Sequence, residues 1–225
     1  MDVVRAGPTA PRLPLLRDLT EGLMYLHTHK PSPIVHGDIR GGNVLIDVVE
    51  GRRVARLTDF GLAHVVESVE EQRTNSTTMM RAGNARWLAF ERMMPEKYNL
   101  SNPRDAKSPK SDIFELMRTF YEVWIIASLP FLLLKALKVL IGQAPFHGLN
   151  DFAAIAAVQE KQNPERPGED LAPELDAEMW RLMEQAWSVK RNARPRLSEI
   201  LDYFDSRSDI RKMVSHTYPL SCQRF

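Results

Sequence analysis

The chain has 225 residues, of which 44% are hydrophobic and 26% charged, with a formal net charge of +1. That composition is enough for one globular domain with a real core, and its balance argues against a polyanion partner such as nucleic acid. The single cysteine, Cys222, excludes an intrachain disulfide, and Met1 to Pro14 has no apolar run of the kind a secretory signal needs, so an intracellular, cytoplasmic setting is expected.

Residues 1–12 read as a disordered or truncated lead. From Leu13 to His29, the apolar positions Leu15, Leu16, Leu19, Leu23 and Leu26 are spaced for one helical face, and Lys30-Pro31-Ser32-Pro33 ends the helix. Val44 to Asp47 and Arg53 to Thr58 read as two strands, with Glu50-Gly51 supplying the turn of a hairpin. Residues 64–81 are polar and read as a flexible loop. Beyond Asp112 the chain reads as helical, with candidates at 111–124, 150–160, 174–188 and 197–205. Residues 206–225 read as a flexible tail. Ile125 to Ile141 is much greasier than its surroundings. A membrane helix needs about 20 mainly apolar residues, and Pro130, Lys135 and Lys138 interrupt this run. A lysine at mid-bilayer costs roughly 3 kcal/mol on insertion scales, so a buried or surface-associated helical insert is expected instead of a span.

Two short stretches carry chemistry: His36-Gly37-Asp38-Ile39-Arg40-Gly41-Gly42-Asn43 and Asp59-Phe60-Gly61. Phosphoryl transfer asks a protein to align donor and acceptor and to neutralise spreading negative charge. Magnesium takes hard oxygen ligands, which the Asp59 carboxylate and the Asn43 amide oxygen provide. Asp38 can accept a hydrogen bond from an attacking hydroxyl and orient it. Arg40 suits phosphate oxygens. Either stretch alone is a common turn; the pair, separated by a strand hairpin, is specific.

The ordered set resembles the C-terminal lobe of a eukaryotic protein kinase. His36-Gly37-Asp38 is similar to the catalytic-loop His-Arg-Asp, Asn43 falls at the metal-binding asparagine, and Asp59-Phe60-Gly61 resembles the motif that opens the activation segment. Ala82 to Glu91 resembles the end of that segment, Lys110-Ser111-Asp112-Ile113-Phe114 the start of the central helix, Gly142 to Phe146 the turn after it, and Arg194-Pro195 the late arginine that pairs with Glu91. The match covers about residues 13–205, and Ile39-Arg40-Gly41-Gly42 looks most like tyrosine-kinase-like group members, fungal ones especially, which are often Ser/Thr-specific. Aminoglycoside and choline phosphotransferases share the first stretch but lack the later landmarks.

The resemblance implies an α+β, mostly α fold: the kinase helical lobe with a short β-hairpin at the active site and the N-terminal lobe missing. It implies ATP and Mg2+ as cofactors, with Asp38, Arg40 and Asn43 catalytic, Asn43 and Asp59 on the metal, and Leu45, with Val44 and Ile46, forming an adenine wall. The implied partners are ATP and a protein substrate. A non-catalytic, pseudokinase-like fragment that binds a partner protein through the helical surface 142–188 is the alternative. No Gly-rich loop or strand lysine precedes residue 13, so negligible activity is expected of the chain alone. Gly37 stands where the family has an arginine that pairs with a phosphorylated residue, so Thr74 to Thr78 read as solvated loop. Asn84 stands for a threonine and Phe90 for a proline. Glu115-Leu116-Met117 replaces Ser-Phe-Gly, which is expected to loosen packing against the catalytic loop. Residues 125–141 look added, and translation of an unspliced intron would account for them. Asp112 is implied to hydrogen-bond the catalytic-loop backbone, and His36 to be a packed scaffold residue.

Overall fold

The computed structural model describes residues 12–65, 84–101, 105–124, 144–169, 172 and 175–207. The expectations for residues 1–11, the segment 66–83, the greasy run 125–141 and the tail from 208 onward lie outside the described residues.

Helix α1 (Arg12–His27) buries Leu15, Leu16, Leu19, Leu23 and Leu26, the face its periodicity predicts. It ends two residues before His29, where the chain turns into Lys30-Pro31. Strands β2 (Val44–Val49) and β3 (Arg52–Leu57) form the expected hairpin, in register from Val44 opposite Leu57 to Val49 opposite Arg52. Glu50 and Gly51 both adopt positive φ, +50° and +81°, as a tight two-residue hairpin turn requires. A second ribbon was not anticipated: β1 (Ile34–Val35) pairs antiparallel with β4 (His64–Val65), whose residues read as loop because two-residue strands carry no periodicity. Asp18, in the middle of α1, accepts both Arg52 Nη1–H and Nη2–H (3.2 and 3.0 Å) and the Ala55 N–H (3.2 Å), fastening the hairpin to the helix.

The short helix α2 (Phe90–Met93) escapes a sequence reading because four residues make only one turn. Helix α3 (Pro109–Trp124) is the centre of the fold: every residue from Ser111 to Trp124 is buried, polar ones included. Its start is built by Ser108 and Ser111, each of whose hydroxyls accepts the other's backbone N–H (3.2 and 2.9 Å), with Pro109 at the first helical position. Helices α4 (Asp151–Gln159) and α5 (Ala177–Ala186) are capped by Asn150 and Asp176, which accept the N–H of Ala153 and Met179. Helix α6 (Leu197–Asp205) closes the chain's described part. Helix α1 packs on β3, α3 and α6, and α3 packs on α5, so one core of Leu16, Leu19, Phe114, Phe120, Met183 and Phe204 joins them. Arg118 of α3 is buried among the rings of Phe114, Phe146 and Trp187, 4.9 to 5.0 Å from each centroid. It donates to Gln162 O and Asn163 Oδ1, and burial brings its pKa down to about 9. No described helix is long and apolar enough to cross a membrane.

Candidate active site

The loop between β1 and β2 carries Asp38 and Asn43, and β3 leads directly into Asp59. Because Val44 pairs with Leu57, Asn43 and Thr58 face each other at the same end of the hairpin. The Thr58 N–H and hydroxyl both donate to Asn43 O, at 2.9 and 3.1 Å. The hairpin register thus brings the two motif loops side by side, although they lie 15 residues apart.

Asn43 is nearly inaccessible, and its Nδ2 donates at 2.8 Å both to Asp38 O and to Asp38 Oδ2. That orientation leaves the amide oxygen as the group Asn43 can offer to a cation. Asp38 Oδ1 accepts from Asn84 Nδ2 at 3.3 Å, and Arg40 Nε lies 3.5 Å from Asp38 Oδ2. The Arg40 guanidinium also folds over Gly42, where a Cβ would come within 2.5 Å of Arg40 Nη1. Asp59 is exposed, holds φ +61°, and accepts the Gly61 N–H at 3.3 Å. Its left-handed backbone is held there by this short turn.

His36 is buried and is a scaffold residue. Its Nε2–H donates to Thr58 O (3.1 Å) while Nδ1 accepts the Asp38 N–H (3.3 Å), which requires the neutral ring. Burial lowers its pKa, consistent with that tautomer, although Asp112 pulls the other way. The ring packs 5.1 Å from that of Phe60.

Leu45 is half-buried on the face of β2 opposite Val44. Val44 is buried in the core and Ile46 packs against it. Strand alternation therefore corrects the three-residue wall expected from the sequence: only Leu45 of the three points to the other face.

The residues that hold this loop come from α3. Asp112 accepts the N–H of His36 and of Gly37, both at 2.9 Å. Glu115 accepts the Ile39 N–H at 3.4 Å. Glu122 accepts the Gly41 N–H and the Trp87 Nε1–H, both at 2.9 Å. Positions 112, 115 and 122 share one helical face, so three carboxylates clamp successive amides of one loop. The expectation that Glu115 loosens this packing is corrected: its carboxylate adds a hydrogen bond and a buried pair with Arg92. The spacing of three and then seven residues was a readable signal. His27, given no role from sequence, also bonds Asp112 through Nε2 at 2.9 Å.

Among the described residues no group of three or more His, Cys, Asp or Glu is placed to hold a metal. One carboxylate and one amide oxygen remain, at Asp59 and Asn43. That donor set fits magnesium, which commonly takes one or two protein oxygens and completes its shell with water and phosphate. Comparison with known families decides the class: the family model described as protein tyrosine and serine/threonine kinase matches residues 8–204. The chain belongs to the protein kinase family. The kinase chain is 27% identical over 191 residues to the serine/threonine-protein kinase CTR1 of Arabidopsis thaliana, covering 85% of this chain and 19% of that protein. It is 26% identical over 196 residues to the mitogen-activated protein kinase kinase kinase of Drosophila melanogaster, covering 84% and 14%. It is 28% identical over 211 residues to the seven transmembrane domain-containing tyrosine-protein kinase 1 of Dictyostelium discoideum, covering 91% and 24%. The kinase chain thus spans a quarter or less of the length of each of these relatives.

Glu122 makes one property of the kinase loop pH-dependent. It is buried, and its carboxyl is pushed up to about 7 from 4.5 by that burial, over the opposing pull of its two N–H donors and of the Arg40 charge. A carboxyl raised by folding contributes stability that is complete below about pH 4.5 and is lost as pH rises to about 7. Glu122→Gln keeps an oxygen for the two donors and removes the charge. We expect it to be more stable than the parent chain by ~1–2 kcal/mol at pH 8, with the difference gone at pH 4.5, in denaturant melts at both pH values.

Proposed function

We propose that this chain carries the acceptor-orienting and metal-binding side of an ATP-dependent protein kinase, corresponding to the helical C-terminal lobe, with protein Ser/Thr hydroxyls as substrate. One observation supports it above the others: the Asn43 amide bonds Asp38 with its nitrogen and keeps its oxygen for a cation, so one side chain links the base to the metal position. Asp38 would accept the hydrogen bond of the incoming hydroxyl. As the hydroxyl oxygen bonds to the terminal phosphorus of ATP and the bond to the ADP oxygen breaks, the proton passes to the Asp38 carboxylate. Asn84, on the second Asp38 oxygen, holds the carboxylate plane. Asn43 and Asp59 would hold Mg2+, which, when bound, neutralises charge on the phosphates. Arg40 would swing from Asp38 to the transferred phosphate, its contact at 3.5 Å being weak enough to exchange. Leu45 would lie against the adenine. The Ser/Thr assignment draws on the name of the Arabidopsis relative and on the resemblance of Ile39-Arg40-Gly41-Gly42 to tyrosine-kinase-like group members.

A magnesium-dependent ATP thermal shift tests the reading. At ATP ten times Kd, binding adds about 1.4 kcal/mol, which for a domain of this size raises Tm by roughly 3–5 °C. Asp59→Asn, which tolerates the left-handed backbone and keeps an oxygen for the Gly61 N–H but removes the charge, is expected to abolish the shift while leaving the unliganded Tm within about 1 °C. A chain that shows no shift with magnesium and ATP together is the interaction module instead.

A further inference from the structure

Lys107 has no part in any role assigned above. It lies just before α3, half-buried, with its stem beside Gly37. A Cβ placed on Gly37 would sit 3.4 Å from Lys107 Cδ and 3.2 Å from Leu62 O. Gly37 holds φ +76°, a conformation that disfavours any side chain. The space beside the catalytic loop therefore belongs to a lysine from a segment 70 residues away. Its Nζ donates to Leu62 O at 3.4 Å. One side chain thus fills the space where a side chain on Gly37, the residue before Asp38, would go, and bonds the residue three beyond Asp59.

This position is an unfavourable one for an amine. Burial draws Lys107 down to about 8, Arg92 adds repulsion, and Glu115, Asp38 and Asp112 supply the attraction that opposes both. Downstream of the turn it reaches, the chain is held by the β1–β4 pairing, which sets His64 opposite Val35; the turn itself is more lightly held. Asp59, Phe60 and Gly61 are all exposed, and the turn's own bonds are Gly61 N–H to Asp59 Oδ1 and Ala63 N–H to Phe60 O. Across to the catalytic loop run the His36 bond to Thr58 O and the His36–Phe60 ring contact. Both act on the upstream part of the turn. Lys107 acts at its exit.

We propose that Lys107 is a positioning residue: it ties the exit of the Asp59 turn to the Asp38 loop so that both loops address one bound nucleotide. The inference rests on the Mg·ATP reading above. A contact of 3.4 Å is long for an ammonium donor, and its tightening on nucleotide binding is the expected consequence.

The test compares the purified chain with Lys107→Met, which keeps the stem on Gly37 and removes the amine, and with Lys107→Arg, which keeps a cationic donor. Two quantities are read: hydrogen exchange at the amides of residues 60–63 without ligand, and the Kd for Mg·ATP. Lys107→Met is expected to raise exchange there at least five-fold and to weaken Mg·ATP three- to ten-fold with an unchanged Tm. Lys107→Arg is expected within two-fold of the parent in both. Unchanged exchange and Kd in Lys107→Met overturn the proposal, and so does faster exchange with an unchanged Kd. If the parent chain binds no Mg·ATP, the nucleotide reading falls, and the exchange arm alone decides whether Lys107 ties the loops. If Lys107→Met does not fold, Lys107→Gln takes its place in both measurements.

Discussion

Arg194→Met lowers the unfolding free energy by about 3–5 kcal/mol, because it leaves a fully buried carboxylate without its main counter-ion. Glu91 and Arg194 are both inaccessible, and their bond is bidentate: Nη1 to Oε1 at 2.6 Å and Nη2 to Oε2 at 2.7 Å. Arg194 also donates to Lys110 O and Ser188 O, and its guanidinium lies 5.0 Å from the centroid of the Phe114 ring. One side chain therefore holds together α2, the start of α3 and the segment before α6. After the substitution, among the described residues Glu91 keeps only Arg191 as an ion-pair partner, its Nε 3.8 Å away. The corresponding fall in Tm is on the order of 10 °C for a domain of this size, measurable by calorimetry. Replacing both partners together, Glu91→Met with Arg194→Met, is expected to recover most of the loss, since no charge is then left buried. A single substitution costing less than about 1 kcal/mol would show that α2 is held by its apolar contacts alone.

Asp112→Ala comes next in size, and it joins stability to function. It removes the acceptor of two buried amides, His36 and Gly37, and the partner of His27. Each orphaned buried N–H costs about 1–3 kcal/mol, so a loss of roughly 3–4 kcal/mol is expected in urea melts. Glu115 and Glu122 continue to hold Ile39 and Gly41, so the damage is confined to the entry of the loop. Asp38 follows immediately, and its N–H is bonded to His36. The variant should therefore also lose its Mg·ATP thermal shift, although Asp112 is fully buried beneath the loop. Asp112→Asn, which can accept one of the two amides but turns a donor toward the other, should fall between. A variant that keeps the full nucleotide shift would show that the loop holds its shape without α3.

Parts of this structure were plain in the residue order. The leucines of α1 repeat with the period of a helix, and they are the buried ones. Glu50-Gly51 is turn chemistry, and the turn is there. Helices α3 to α6 begin within three residues of the starts at 111, 150, 174 and 197 read from the sequence. These are local properties, set by a handful of neighbours in sequence. The β1–β4 ribbon and α2 were not legible, since two to four residues carry too little pattern to rise above a loop. Glu115 read as a disruptive substitution, because the amide of Ile39 that it receives lies 76 residues away.

The amino-acid order by itself determined the family and the two motif loops, because those depend on residue type and spacing alone. Tertiary structure decided which face of β2 Leu45 occupies, that Asn43 turns its nitrogen to Asp38, and that three acids of one helix share out the amides of the catalytic loop. It also decided that Lys107 covers Gly37. Buried donors and acceptors find partners through space, and only the packing of α3 beneath the loop says which carboxylate meets which amide.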